Sequence, residues 1–277
     1  MNRGPRNGLP ALLALAFACV LAPAAVAEDA RTPSVTAIFP TSNEVPANHL
    51  KFYIHFSQPM RQGVFLAHCS LRDEHGRDVA EPFRETDLWS EDRTRLTLWL
   101  HPGRQKAGVN LNVEFGPVLH PGRGYTLVIS GRWPSENGIL LGGDVRRKFR
   151  AVERATARLE ADTWRITAPR AGSHSPVTVR FPAPLDHALL LRCIRVFGAD
   201  GQPVAGDITV AEREQSWSFT PARPWDAESH TLAADSILED LAGNSLARPF
   251  ELDLTKAAPG KRASVVTVRF RPTYRAK

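Results

Sequence analysis

Residues 52–79, FYIHFSQPMRQGVFLAHCSLRDEHGRDV, align without a gap onto residues 177–204, VTVRFPAPLDHALLLRCIRVFGADGQPV. Phe56 meets Phe181, Pro59 meets Pro184, Met60 meets Leu185, Leu71 meets Val196, and the turn glycines Gly76 and Gly201 coincide. A match of this length means that one structural unit is written twice. Further on, LWLHP at 98–102 aligns with WSFTP at 217–221, 125–128 with 230–233, and Asn137-Gly138 with Ala242-Gly243. The copies differ most over 103–120, where the first is longer. That stretch reads as an insertion on a loop, where a repeated scaffold most readily gains new contacts.

Each copy is written in strands. Lys51–Phe56 and 177–181 alternate apolar with polar residues, the period-2 pattern of a half-buried strand. His75-Gly76, Asp200-Gly201, Asn137-Gly138 and Gly243-Asn244 are turn dipeptides between such runs. Short strands with regular turns over about 100 residues favour an antiparallel sandwich over an α/β plan. Only 185–191 and 151–161 have the composition for helical turns. The organisation expected is a first domain at 33–150, a linker and first-strand region at 151–170, a second domain at 171–256 and a basic tail at 257–277. Within that tail, 266–270 repeats 177–181 letter for letter, so it is expected to add an edge strand to a sandwich or to cross to a neighbour.

The first 27 residues read as a signal peptide: Arg3 and Arg6 precede an uncharged run from Leu9 to Leu21, and small residues follow around Ala25 to Ala27. The run is too short and proline-broken for a membrane span of roughly 20 residues, and no later segment is apolar enough. The expectation is export to the periplasm or the outside. Ala16-Phe17-Ala18-Cys19 offers a loose match to a lipid-anchoring box, without the bulky aliphatic residue expected at Ala16. The formal charge of +6 is a property of the ends. Seven cations and no acid follow Leu254, two cations lie in the leader, and the body between holds fewer cations than the 29 acids. This excludes a nucleic-acid-binding body; the tail reads as a solvated extension. Cys69 and Cys193 are too few for a disulfide framework, and as strand residues one is expected buried and the other not.

Phe39-Pro40, Val45-Pro46, Phe56-Ser57-Gln58-Pro59-Met60, Phe219-Thr220-Pro221 and, above all, Asp240-Leu241-Ala242-Gly243-Asn244 resemble the bacterial immunoglobulin-like domains of surface-layer proteins. The resemblance covers both repeats. It implies an all-β chain of two tandem immunoglobulin-like antiparallel β-sandwiches after the signal peptide. Such modules serve structural, adhesive or protein-binding roles in the cell envelope, without catalysis. The first copy departs from the pattern with Ser135-Glu136-Asn137-Gly138 in place of the DLAGN segment. A second similarity is to periplasmic copper carriers, but that family's N-terminal histidine ligand is replaced by Glu28-Asp29-Ala30.

No nucleophile elbow, phosphate loop or dinucleotide fingerprint is present, so no catalytic residue, cofactor or metal site is assigned. His101 and His120 each open a His-Pro-Gly-Arg tetrapeptide; both read as turns, and they would meet only if the insertion folded back as a hairpin. Asp235, Glu239, Asp240 and Asn244 bracket the DLAGN turn. The structural reading has Asp240 accepting backbone amides and Asn244 taking left-handed geometry; the alternative is a calcium loop. Trp99 and Trp217 are assigned to packing. Trp89, Trp133 and Trp225 lie near turns; core or inter-domain packing accounts for them, and if exposed they are, with His101 and His120, the candidate contacts for a partner protein or an envelope polysaccharide. Carbohydrate binding is thus the alternative function, and periplasmic metal binding a more remote one.

Overall fold

A computed structural model of the chain describes Met1 and residues 32–105, 110–251 and 264–274. Apart from Met1, the expected leader at 1–27, Cys19 included, lies outside these residues.

The first repeat forms β1 (Val35–Phe39), β2 (Glu44–Pro46), β3 (Lys51–Phe56), β4 (Cys69–Asp73), β5 (Leu88–Trp89), β6 (Arg95–Trp99), the short helices α1 (Pro102–Gln105) and α2 (Asn110–Phe115), β7 (Gly124–Ile129) and β8 (Val145–Val152). The second forms β9 (Arg165–Thr167), β10 (Val177–Arg180), the helix α3 (His187–Cys193), β11 (Ile194–Phe197), β12 (Gly206–Val210), β13 (Ser216–Pro221), β14 (His230–Asp235) and β15 (Val265–Phe270). Sheet β1-β3-β6-β5 packs with β2-β8-β7-β4 around one core, and β9-β10-β13-β12 with β11-β14-β15 around another. The ladders are antiparallel except β2 on β8, and the second repeat echoes that exception with a parallel bridge between Arg170 and Thr273. The fold is all-β and immunoglobulin-like.

Alternation in β3 explains its burial. Phe52, Ile54 and Phe56 are at most 4% exposed and face the first core, as Val177, Val179 and Phe181 face the second. Residues 133 and 217 are tryptophans with no exposed surface, each supplying the large apolar area that closes a small sandwich core.

The ladders correct one alignment. Phe52 pairs with Leu98, whereas its counterpart Val177 pairs with Phe219. Leu98 therefore corresponds to Phe219 and Leu96 to Trp217, two residues from the sequence-based match. A slip of two keeps every side chain on its face, so hydrophobic pattern cannot detect it.

Other expectations change as well. No α-helix forms over 151–161. β8 runs to Val152, and after irregular chain a single 3-10 turn at Ala161–Thr163 leads into β9. β9 is the first strand expected within 151–170, and Trp164 and Ile166 pack into the second core. The expected edge strand of the tail is β15, which pairs with β14 over its whole length and puts Phe270 in the core, so the second sandwich extends past 256. The match of 266–270 to β10 is one of letters only: by pairing, β15 is the counterpart of β8. Cys193 ends α3 instead of lying on a strand and is as buried as Cys69, at 6% each, and both thiols are free. The helix rotates Cys193 inward because Asp186 caps its N-terminus through Leu189 N at 2.9 Å.

Candidate functional site at the junction of the sandwiches

Both sandwiches lie in one unit, Thr32–Lys277, and the chemistry concentrates where they meet. The DLAGN turn docks on the first sandwich. Leu241 enters the first core at 7% exposure, and Leu241 O accepts from Leu50 N at 3.0 Å. His49, 1% exposed, holds the same carbonyl at 3.2 Å through Nδ1, which must carry the proton because a carbonyl only accepts. Asn48 and Asn244 both donate their side-chain amides to Ala155 O, at 2.7 and 2.9 Å.

Two buried carboxylates from the second sandwich bind the first. Asp186, 2% exposed, accepts from Tyr53 OH at 2.9 Å and lies 3.1 Å from Lys51 Nζ; Lys51 also reaches Glu239 at 2.6 Å. Glu214, 1% exposed, accepts from Thr41 N at 2.9 Å and from Thr41 Oγ1 at 2.9 Å, while Thr41 Oγ1 accepts from Arg213 N at 2.7 Å. Beside them His187 stacks on Phe39 at 3.5 Å between centroids. Burial is the largest influence on nearly every group here. It would lower Lys51, but Asp186, Tyr53 and Glu239 together hold that ammonium above its ordinary value. Burial, then Asp186, raises Tyr53; burial raises Glu214 and moves Asp240 to about 6. It pushes His49 to about 4, and together with neighbouring His55 it does the same to His187.

A cleft of about 530 Å³ opens next to this network, lined among others by Ser42, Glu44, Arg213, Gln215 and Asp240. Of the acids in its lining, Asp240 is already committed. Asp240 accepts from Ala242 N (2.8 Å), Asn244 N (2.9 Å) and Asn244 Nδ2 (2.9 Å). That is the structural role expected of Asp240. The left-handed position, however, is Gly243 with φ +80°, as Gly138 has φ +83° in the first copy; Asn244 is not left-handed. Asp235 caps Ile237 N at 3.0 Å and Glu239 holds Lys51. Glu239, Asp240 and Asn244 are therefore engaged by the protein while Asp235 stays at the surface, and among the described residues no group of three or more acidic, histidine or cysteine side chains converges.

For two of the three aromatic candidates packing, not ligand contact, is the reading the structure supports. Trp133 and Trp225, at 0% and 3% exposure, are core residues with no ring face open to a sugar. Trp133 packs on Phe56 and Trp89 and donates Nε1 to Arg61 O at 3.1 Å; Trp225 packs on Phe270 and donates to Ser175 O at 2.7 Å. Trp89 is half-buried against the first core, its Nε1 on Asp87 at 2.8 Å. The two histidines are not brought into one site. The insertion folds as α1 and α2, not as a hairpin. His101 opens α1, accepting from Arg104 N and Gln105 N, so this Pro-Gly pair starts a helix; only 120–123 is the expected turn, closed by Arg123 N on His120 O at 3.3 Å. His120 is exposed beside a cavity of about 410 Å³ whose lining does not include His101. The insertion is fastened by buried Arg104, which donates to Ala80 O and Gly116 O, and by Gln105 Nε2 on His49 O at 2.6 Å, at the back of the junction. It leaves Val113 and Phe115 more than half exposed.

Lys51, Tyr53, Thr41, Asp186 and Glu214 are absent from the sequence-based candidates. A signal existed in the comparison of the copies. Lys51 and Tyr53 correspond to Pro176 and Thr178, so a cation and an aromatic ring occur only in the copy whose end is covered.

No family model and no curated protein matches the chain. Among solved structures it is similar to the surface layer protein SbsC, domains 1–6, at 9% identity over 88% of this chain and TM-score 0.32. It is also similar to an MG0-NIE-MG1 segment of alpha-2-macroglobulin from Escherichia coli (11% identity, 76% of this chain and 67% of that one, TM-score 0.30). A third is the N-terminal four Ig domains of Dscam1 isoform 6.9 (11% identity, 87% and 51%, TM-score 0.27). The chain spans 41% of the surface-layer structure. Among the described residues, no helix is long and apolar enough to cross a membrane.

Proposed function

We propose that this chain is an exported, non-catalytic module of the bacterial cell envelope whose two sandwiches act as one rigid structural unit. The observation that carries the reading is the junction. Two carboxylates no more than 2% exposed, Asp186 and Glu214, are satisfied only by groups of the other sandwich or of their own backbone turn. A flexible tether between independent modules would leave such groups in water. Burying them costs several kcal/mol each unless their partners are fixed, so the arrangement holds one geometry or falls apart. Export is supported by the order of charge, apolar run and small residues at 3–27.

Spin labels on Glu85→Cys and Asp207→Cys, one on each sandwich, test the rigid unit by pulsed dipolar spectroscopy. A single narrow distance distribution is expected. A broad or two-peaked distribution would remove the rigid-unit reading, and recovery of the mature chain from the cytosol would remove the envelope assignment.

A further inference from the structure

The outer edges of β8 and β15 are equivalent by pairing but differ in chemistry. Each is covered only at its C-terminal end. In the first sandwich, Arg150 N donates to Asn43 O and Ala47 N to Val152 O; in the second, Thr273 N donates to Pro169 O and Ala171 N to Thr273 O. Within the second sheet, ordered β11-β14-β15, the edge of Val265–Phe270 is open among the described residues.

Alternation fixes which groups face outward. Ser236 N bonds Ser264 O, so residues 264, 266, 268 and 270 form the bonded pairs with β14. The N–H and C=O of Val265, Thr267 and Arg269 therefore point to the open edge, in phase with Thr273, whose N–H and C=O are taken by 169 and 171.

We propose that β15 pairs antiparallel with β15 of a second copy about a two-fold axis at Thr267, joining two three-stranded sheets into one of six strands. About that axis Thr267 faces Thr267, and Val265 faces Arg269, on the exposed side; Val266 faces Val268 on the core side. No like charges oppose, and a Thr–Thr pair with β-branched neighbours is a favourable cross-strand set. The same operation on β8 fails. Arg146, Arg147 and Lys148 lie on its open stretch, and antiparallel self-pairing centred on that stretch sets cation against cation. Arg147 is moreover bound to Ser42 O at 2.7 Å across that edge. One edge is thus blunted by charge, while the other, VVTVRF, is β-branched and self-complementary. Closed two-fold pairing satisfies such an edge without propagating into a filament.

Sedimentation velocity over a concentration series tests this, with Cys19→Ser in every variant. The chain is expected to form a dimer, and Thr267→Lys, at an exposed position, is expected to abolish it with unchanged circular dichroism and with the melting temperature of the unsubstituted chain diluted until it is monomeric. Thr267→Cys should cross-link two chains on oxidation, because a bonded antiparallel pair sets Cα atoms about 5.5 Å apart, within disulfide range. Thr209→Cys, on β12 at an edge of the other sheet of the second sandwich, should not. A chain monomeric at its highest soluble concentration, a dimer that survives Thr267→Lys, or cross-linking at position 209 but not 267 would overturn the proposal.

Discussion

Lys51→Met removes an ammonium and keeps a side chain of similar length and apolar stem. The lysine side chain is 11% exposed and stands between Asp186 and Glu239, whose side chains are 3% and 21% exposed. Taking one partner from a buried ion pair costs about 3–5 kcal/mol, because the remaining charge is stranded; a surface pair would cost about 0–1 kcal/mol. Slight exposure of Lys51 and Glu239 places the expectation near the lower end, about 3 kcal/mol. The penalty is chiefly that of an unpaired Asp186. Adding Asp186→Asn should therefore recover more than about half of it, since asparagine still accepts from Tyr53 OH and still caps α3. Urea unfolding followed by tryptophan fluorescence measures both variants. A loss below about 1 kcal/mol for the single change, or a double variant no more stable than the single one, would refute the view of the junction as a buried, mutually dependent ion pair.

Gly243→Ala and Gly138→Ala impose the same left-handed strain, but a Cβ at 243 would sit 2.6 Å from Leu50 Cδ1 and one at 138 has nothing within 4 Å. The former should be the more destabilising by over about 1 kcal/mol in thermal denaturation. His49 takes up a proton in the unfolded chain near pH 6.5 and in the folded chain only near 4. Its contribution is present above pH 6.5 and is lost as the pH falls toward 4, so His49→Gln should flatten the acid limb of stability by roughly 3 kcal/mol at pH 4. Asp240, moved to about 6, has the opposite sign. It contributes below its ordinary value of 3.8 and loses that contribution as the pH rises through 6, so Asp240→Asn should steepen the loss of stability on acidification. Trp133→Ala should cost about 3–5 kcal/mol of stability by chemical denaturation, as an emptied core position would; a variant of native stability would return Trp133 to the list of contact residues.

Much of the fold was legible because strands advertise themselves. The alternation in Lys51–Phe56 and the turn dipeptides depend on neighbours two to four residues away, and a repeat doubles the signal. What escaped has a common cause. The two-residue offset of β6 against β13 and the extension of the second sandwich past 256 both concern which strand lies beside which. Pattern along one strand does not record its partner. The identical tetrapeptides at 101 and 120 make the point locally: one starts α1, where Arg104 finds the carbonyls of Ala80 and Gly116, and the other stays a turn.

By itself, then, the sequence determined the class of fold, the twofold repeat, the place of the insertion and the role of Asp240 in its loop, because these follow from short-range pattern and side-chain chemistry. Only the tertiary structure decided that Trp133 and Trp225 are core, that the sandwich β15 joins is the second, and that Lys51, Tyr53, Asp186 and Glu214 form the junction. Lys51 and Asp186 are 135 positions apart in the chain, and each alone reads as an ordinary surface charge. Their meaning comes from the burial that brings them within 3.1 Å of each other.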